Sequence, residues 1–217
     1  MEKNNILTEA FTWLFIGLLI CFSVSYLSTL NPNIALTIYG SLGGYGYLIF
    51  AIIEVIVALI LLIKIRTLPP TIAKILYILY TALTGLTFTG IFIVYTGTSI
   101  ALIFLATAII FAIFALFGKT TKVDLSKWST YLFIALLGII IFEIINIFLL
   151  NSAIDLILSV ITIVVFCAYV AFDIQIALNK AFLPGVQNKG IYVAFNLFLD
   201  FINIFIKLLR LFGRSRD

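Results

Sequence analysis

Seven long apolar runs, separated by short polar breaks, leave this chain little choice of fold. They cover residues 11–30, 47–63, 72–95, 100–117, 128–150, 154–178 and 191–212. Each is close to the length with which a helix crosses a bilayer, about 17–25 residues. Hydrocarbon offers the backbone no partners, so only helices or a closed barrel span it, and runs of this length read as helices. Of 217 residues, 64% are apolar and 10% charged; a soluble domain carries about 25% charged residues. The expectation is an all-α polytopic membrane protein, one helical domain over 1–217 with seven transmembrane helices.

The breaks set the path of the chain. Asn31-Pro32-Asn33 ends the first run, and a weaker apolar stretch, 34–42, leads through Gly43-Gly44-Tyr45-Gly46 into the second. These glycines either hinge the helix or form its outer cap, and an extended, bent second helix is the favoured reading. Lysine and arginine then load alternate loops. Lys64, Arg66 and Lys74 bracket Pro69-Pro70; Lys119, Lys122 and Lys127 follow the fourth run; Lys180 and Lys189 follow the sixth, around Pro184-Gly185. Thr96-Gly97-Thr98-Ser99 and Asn151-Ser152 are uncharged turns. The positive-inside rule places the basic loops and the N-terminus in the cytoplasm. A full final crossing puts Arg210, Arg214 and Arg216 outside, against that rule, whereas a re-entrant hairpin would keep them inside. The run 191–212 has no glycine or proline at which to turn, which favours the full span. No small-residue cleavage site follows a short apolar region near the N-terminus, so the first run does not read as a cleaved signal peptide.

Missing residue types exclude chemistry. The chain has no histidine, which removes Ser-His catalysis and histidine-ligated zinc or haem. Cys21 and Cys167 lie inside apolar runs, far from metal or redox spacings. The net charge of +4 sits beside apolar segments, as orientation signals do, and does not suggest nucleic acid as a partner. A non-enzyme that requires no cofactor is expected.

Ionisable groups at membrane depth are costly and point to function. Four carboxylates qualify by position: Glu54, Glu143, Asp173 and Asp200. Asn196, Asp200, Asn203 and Lys207, spaced by four, three and four residues, form one polar stripe on an otherwise apolar helix. That face must avoid lipid, so the C-terminal helix is expected to be central. In the alternative, Asp200 is satisfied by Lys207 or Asn203 along the helix. Asp173 lies about 10 Å from Lys180 and Asp200 about 15 Å from Gly190, at about 1.5 Å per residue. On helices joined by a short loop, the two can share a site; otherwise Asp173 reaches interfacial water or Lys180. Lys64 and Arg66 either mark topology or pair with the aspartates. Glu143, with Asn146, either lines an outer vestibule or bonds across helices.

The stretch Asn196-Leu-Phe-Leu-Asp200-Phe-Ile-Asn203-Ile-Phe-Ile-Lys-Leu-Leu-Arg210-Leu-Phe-Gly213 resembles the C-terminal signature of the transmembrane Bax-inhibitor-motif family. Tyr169 and Asp173 with Gln175 resemble its penultimate helix, Glu54 in Ala-Ile-Ile-Glu-Val a glutamate of its second, and Thr84-Gly85-Leu86 its third. The resemblance implies seven helices with the last one central, and a pH-sensitive calcium leak governed by two aspartates, matching Asp173 and Asp200. The chain departs from the family in having Thr89-Gly90 where a Gly-Pro is common. It also lacks an unambiguous latch arginine, for which Arg66 and Lys64 are offset candidates.

The leading expectation is a calcium-permeable leak channel of a bacterial-type plasma membrane. Its partners are lipid, calcium and protons. Calcium takes oxygen ligands, supplied by Asp173 and Asp200 at the ion site, with Glu54, Asn196 and Asn203 along the pathway. Two poorly hydrated carboxylates cannot both be charged cheaply, so flux should change at about pH 6–7. A proton-coupled transporter, or a regulator acting through partner helices, would use the same groups.

Overall fold

The computed structural model describes residues 2–31, 33–34, 46–179 and 185–216. Among them no strand forms beyond an isolated bridge between Tyr95 and Ser215. The helices are α1 (Glu2–Leu30), α2 (Gly46–Lys64), α3 (Pro70–Thr87), α4 (Thr89–Val94), α5 (Gly97–Thr120), α6 (Ser129–Leu149), α7 (Ser152–Leu178) and α8 (Lys189–Phe212), with a 3-10 turn at Leu125–Trp128. Six stretches are long and apolar enough to cross a membrane: Asn5–Leu30, Pro70–Val94, Gly97–Thr120, Leu125–Leu149, Ser152–Leu178 and Lys189–Phe212. The seventh expected run is α2, whose 19 residues extend about 28 Å. Apart from Ile34, the stretch 34–42 lies outside the described residues, as do Gly43, Gly44, Tyr45, Lys180 and Pro184.

The third run is made of two consecutive helices that meet at a single residue. Phe88 (φ −74°, ψ −7°) separates α3 from α4. Just before it, the hydroxyl oxygens of Thr84 and Thr87 lie 3.1 and 2.9 Å from the carbonyls of Tyr80 and Thr84, but their protons point to the closer carboxylate of Glu54, at 2.8 and 2.6 Å. Gly90 follows the break.

The chain divides into two compact units. The first comprises Met1–Thr96, Leu183–Phe198 and Ser215–Asp217. Here α1 passes so close to α3 that a Cβ on Gly85 would lie 2.6 Å from the Cys21 carbonyl oxygen. Ser25 uses the approach to donate to the Gly85 carbonyl at 2.7 Å. Tyr80 packs edge-on against Phe195 and Phe198 of α8, with centroids 5.3 and 5.9 Å apart. The loop after α2 is tied to the segment before α8, for Gln187 N–H donates to the Arg66 carbonyl and Asn188 Nδ2 to that of Leu68.

The second unit comprises Gly97–Phe182 and Leu199–Arg214. A Cβ on Gly118 of α5 would meet the backbone of Ala171 of α7, with its Cα at 2.7 Å. Phe104 and Phe111 of α5 stack on Phe201 of α8 at 5.2 and 5.7 Å. Gln175 pins the basic loop to α7, accepting from Leu125 N–H and donating to the Val123 carbonyl, both at 2.7 Å. In that loop, the Ser126 hydroxyl and N–H donate to Asp124 and hold its carboxyl below the usual carboxylate range. The α6–α7 turn is stapled by two asparagines. Leu150 takes a left-handed conformation (φ 51°); Asn146 Oδ1 accepts from Asn151 N–H, and Asn151 Oδ1 caps α7 through Ala153 and Ile154 N–H.

Candidate functional site

Helix α8 runs unbroken over 24 residues, so the last run is a full-length helix and not a hairpin. It is the most buried of the six membrane-length stretches, 67% against 17–39% for the others. The tail beyond it returns to the uncharged segment after α4. Arg216 N–H and Nε donate to the carbonyls of Val94 and Tyr95, and Arg214 N–H donates to Ser99 Oγ. The segment after α8 is therefore tied locally to the segment after α4.

On α8, Tyr192, Asn196, Leu199, Asn203 and Ile206 are half-buried down one side, and Asp200 and Lys207 lie at its buried edge. Asp200 is 3% exposed and Asp173 of α7 is 6% exposed. Their carboxyl groups are hydrogen-bonded to each other, so the two aspartates expected to share a site do meet. Around them on α7, Phe166, Cys167, Val170, Ala171 and Ile174 are buried, leaving little polarity to support two charges. A hydrogen bond between carboxyl groups needs a proton on one of them, and such a pair titrates as one unit.

The other polar residues of α8 go elsewhere. Lys207 does not satisfy Asp200 along the helix; its Nζ pairs with Glu143 of α6, because an ammonium on a long stem reaches an ion on a packed neighbour. Glu143 thus bonds across helices and also lines a cavity. Asn203 Nδ2 donates to the Leu199 carbonyl at 2.8 Å. Arg210 pairs with Asp155 of α7 at 2.6 Å.

Glu54 belongs to the first unit, clamped by the hydroxyls of Thr84 and Thr87 at 2.8 and 2.6 Å. Arg66, in the same unit, donates from Nη2 to the Tyr192 hydroxyl at 3.0 Å, with its guanidinium carbon 5.0 Å from that ring's centroid. Lys64 is exposed. Among the described residues, no three His, Cys, Asp or Glu side chains gather as a resident metal site. Sequence reasoning did not single out Asp155, Thr87 or Tyr192. The spacing of Thr84 and Thr87, on one face and opposite a mid-span glutamate, was the available signal for the clamp.

Over residues 3–217 the chain matches the family described as inhibitor of apoptosis-promoting Bax1. It is 31% identical to an uncharacterized protein of Borreliella burgdorferi over 220 residues, 99% of this chain and 94% of the relative. An uncharacterized protein of Deinococcus radiodurans is 31% identical over 221 residues, 100% of this chain and 93% of the relative. The inner membrane protein YbhL of Escherichia coli is 40% identical over 139 residues, 61% of this chain and 59% of YbhL.

Proposed function

This chain belongs to the Bax inhibitor family, and on that premise we propose that it is a pH-sensitive calcium leak channel gated by Asp173 and Asp200. Its setting is a bacterial plasma membrane, with the N-terminus in the cytoplasm. The observation that carries the reading is the buried, hydrogen-bonded carboxyl pair between α7 and α8. With one proton the pair holds the two helices together; without it, two charges repel across a dry contact. The ionised oxygens then suit a hard divalent cation, which takes carboxylate and amide ligands. Calcium is cargo in this account, and Asn203, in the same unit as the pair, offers a further amide oxygen. To act as a latch on the pair, Arg66 would first have to leave Tyr192.

The shared proton also favours a second reading, a proton-coupled transporter of a solute, since relays through membranes use carboxylates. Calcium-dye influx into proteoliposomes of the purified protein, with no other solute, separates the two. The channel reading expects influx in the wild type and altered influx in Asp173→Asn and Asp200→Asn. Wild-type vesicles no leakier than empty ones would overturn it.

A further inference from the structure

Four buried side-chain oxygens have no hydrogen-bond partner among the described residues: Asp155 Oδ1, Ser159 Oγ, Thr162 Oγ1 and Asp200 Oδ2. All four belong to the second unit, and Ser159 and Thr162 are 0% and 2% exposed. At about 100° per residue, Asp155, Ser159, Thr162, Phe166 and Asp173 fall in one strip of α7 roughly 60° wide. Both ends of this strip face α8, since Asp155 pairs with Arg210 and Asp173 with Asp200. The hydroxyls between the ends therefore face α8 as well. Burying a hydroxyl without a partner is costly, and natural interiors rarely leave one dry. A row of them on a single face calls for water or a hydrated ion.

The row begins at the wall of a cavity of 410 Å³ at the α6–α7 turn. Its polar lining includes Glu143, Asn146, Asn151, Ser152, Asp155 and Arg210. Asp155 is part of that lining, and Ser159 and Thr162 follow it one and two turns inward. The next residue of the strip is Phe166, which is buried and backed by the Tyr169 ring at 5.9 Å. Thr162 and Asp173 are separated by about 16 Å along the axis, with Phe166 between them.

We infer that Asp155, Ser159 and Thr162 line a water-filled vestibule that admits hydrated cations from this cavity and ends at Phe166, an apolar plug before the aspartate pair. The cation part rests on the channel reading; the water part does not. An apolar constriction blocks ions by excluding water, so the plug closes the wet entrance off from the aspartate pair.

The test is thiol accessibility in the reconstituted full-length protein, with Cys21 and Cys167 replaced by alanine. The probe is a membrane-impermeant trimethylammonium methanethiosulfonate. Ser152→Cys, on the cavity wall, reports the reagent's access to that end, and Ile161→Cys, on the exposed apolar side of α7, reports lipid. Ser159→Cys exchanges a single atom, so folding is preserved. Only a hydrated thiol ionises and reacts, so Ser159→Cys and Thr162→Cys should react about 100-fold faster than Ile161→Cys. Reaction at the Ile161→Cys rate in both overturns the vestibule, whether or not calcium flux is found. Rapid labelling without flux keeps the vestibule and overturns the channel reading. With both present, Phe166→Ala should raise calcium flux about tenfold; unchanged flux removes Phe166 as the plug.

Discussion

Lys207 on α8 gives its ammonium to Glu143 on α6, and not to Asp200, seven residues earlier on the same helix. The two side chains are 11% and 29% exposed, so the pair is largely shielded from water. One turn further on, Arg210 repeats the arrangement with Asp155 of α7. With these basic groups engaged, the described site leaves Asp200 to Asp173. Two carboxyls meeting without a cation depend on a proton, and the proposed pH sensitivity rests on this.

Removing one partner of a shielded ion pair strands the other, at a cost of about 3–5 kcal/mol when burial is complete. With Glu143 partly exposed, about 1–3 kcal/mol is expected for Glu143→Gln or Lys207→Met. The double variant should recover much of that loss, because no charge is then left alone. Thermal unfolding of the detergent-solubilised protein provides the cycle. Additive losses would mean that the pair is not coupled.

Gly118 and Gly138 make a matched comparison in the second unit. A Cβ at Gly118 runs into the Ala171 backbone, whereas nothing lies within 4 Å of one at Gly138. Gly118→Leu should therefore destabilise by about 1–3 kcal/mol or more, through separation of α5 from α7. Gly138→Leu should be nearly neutral, a contrast that the same melting experiment resolves.

The fold was legible where apolar runs were long and uninterrupted. The expected run 128–150 became Ser129–Leu149, 154–178 became Ser152–Leu178, and 191–212 became Lys189–Phe212. Hydropathy sets such bounds because lipid leaves the backbone no alternative to a helix. The burial of α8 was legible from its polar spacing, although Asn196 and Asn203 lie on its half-buried side, and the meeting of Asp173 with Asp200 from depth along two connected helices. Partner choice was not: spacing tells which face a residue occupies, but not which helix lies opposite. Glu143 with Lys207 and Arg66 with Tyr192 are 64 and 126 residues apart, and nothing local encodes them. The break at Phe88 escaped because it does not interrupt the hydropathy of the run.

The orientation proposal predicts labelling from one side. Single cysteines at Thr71, Lys122 and Gln187, in a background lacking Cys21 and Cys167, should react only with reagent added from the cytoplasm. Cysteines at Thr98 and Ser152 should react only from outside. All five residues are exposed, so access is not limited by packing. The reverse pattern in intact cells would invert the protein in the membrane.

The measurement closest to the central claim is the pH–flux curve of calcium influx into proteoliposomes, taken for the wild type and for Asp173→Asn and Asp200→Asn. An amide keeps the size of the carboxyl and a hydrogen bond but cannot titrate. The wild-type curve should change at about pH 6–7, and the curves of both variants should be shifted or flat. A wild-type curve reproduced unchanged by both asparagine variants would contradict the claim.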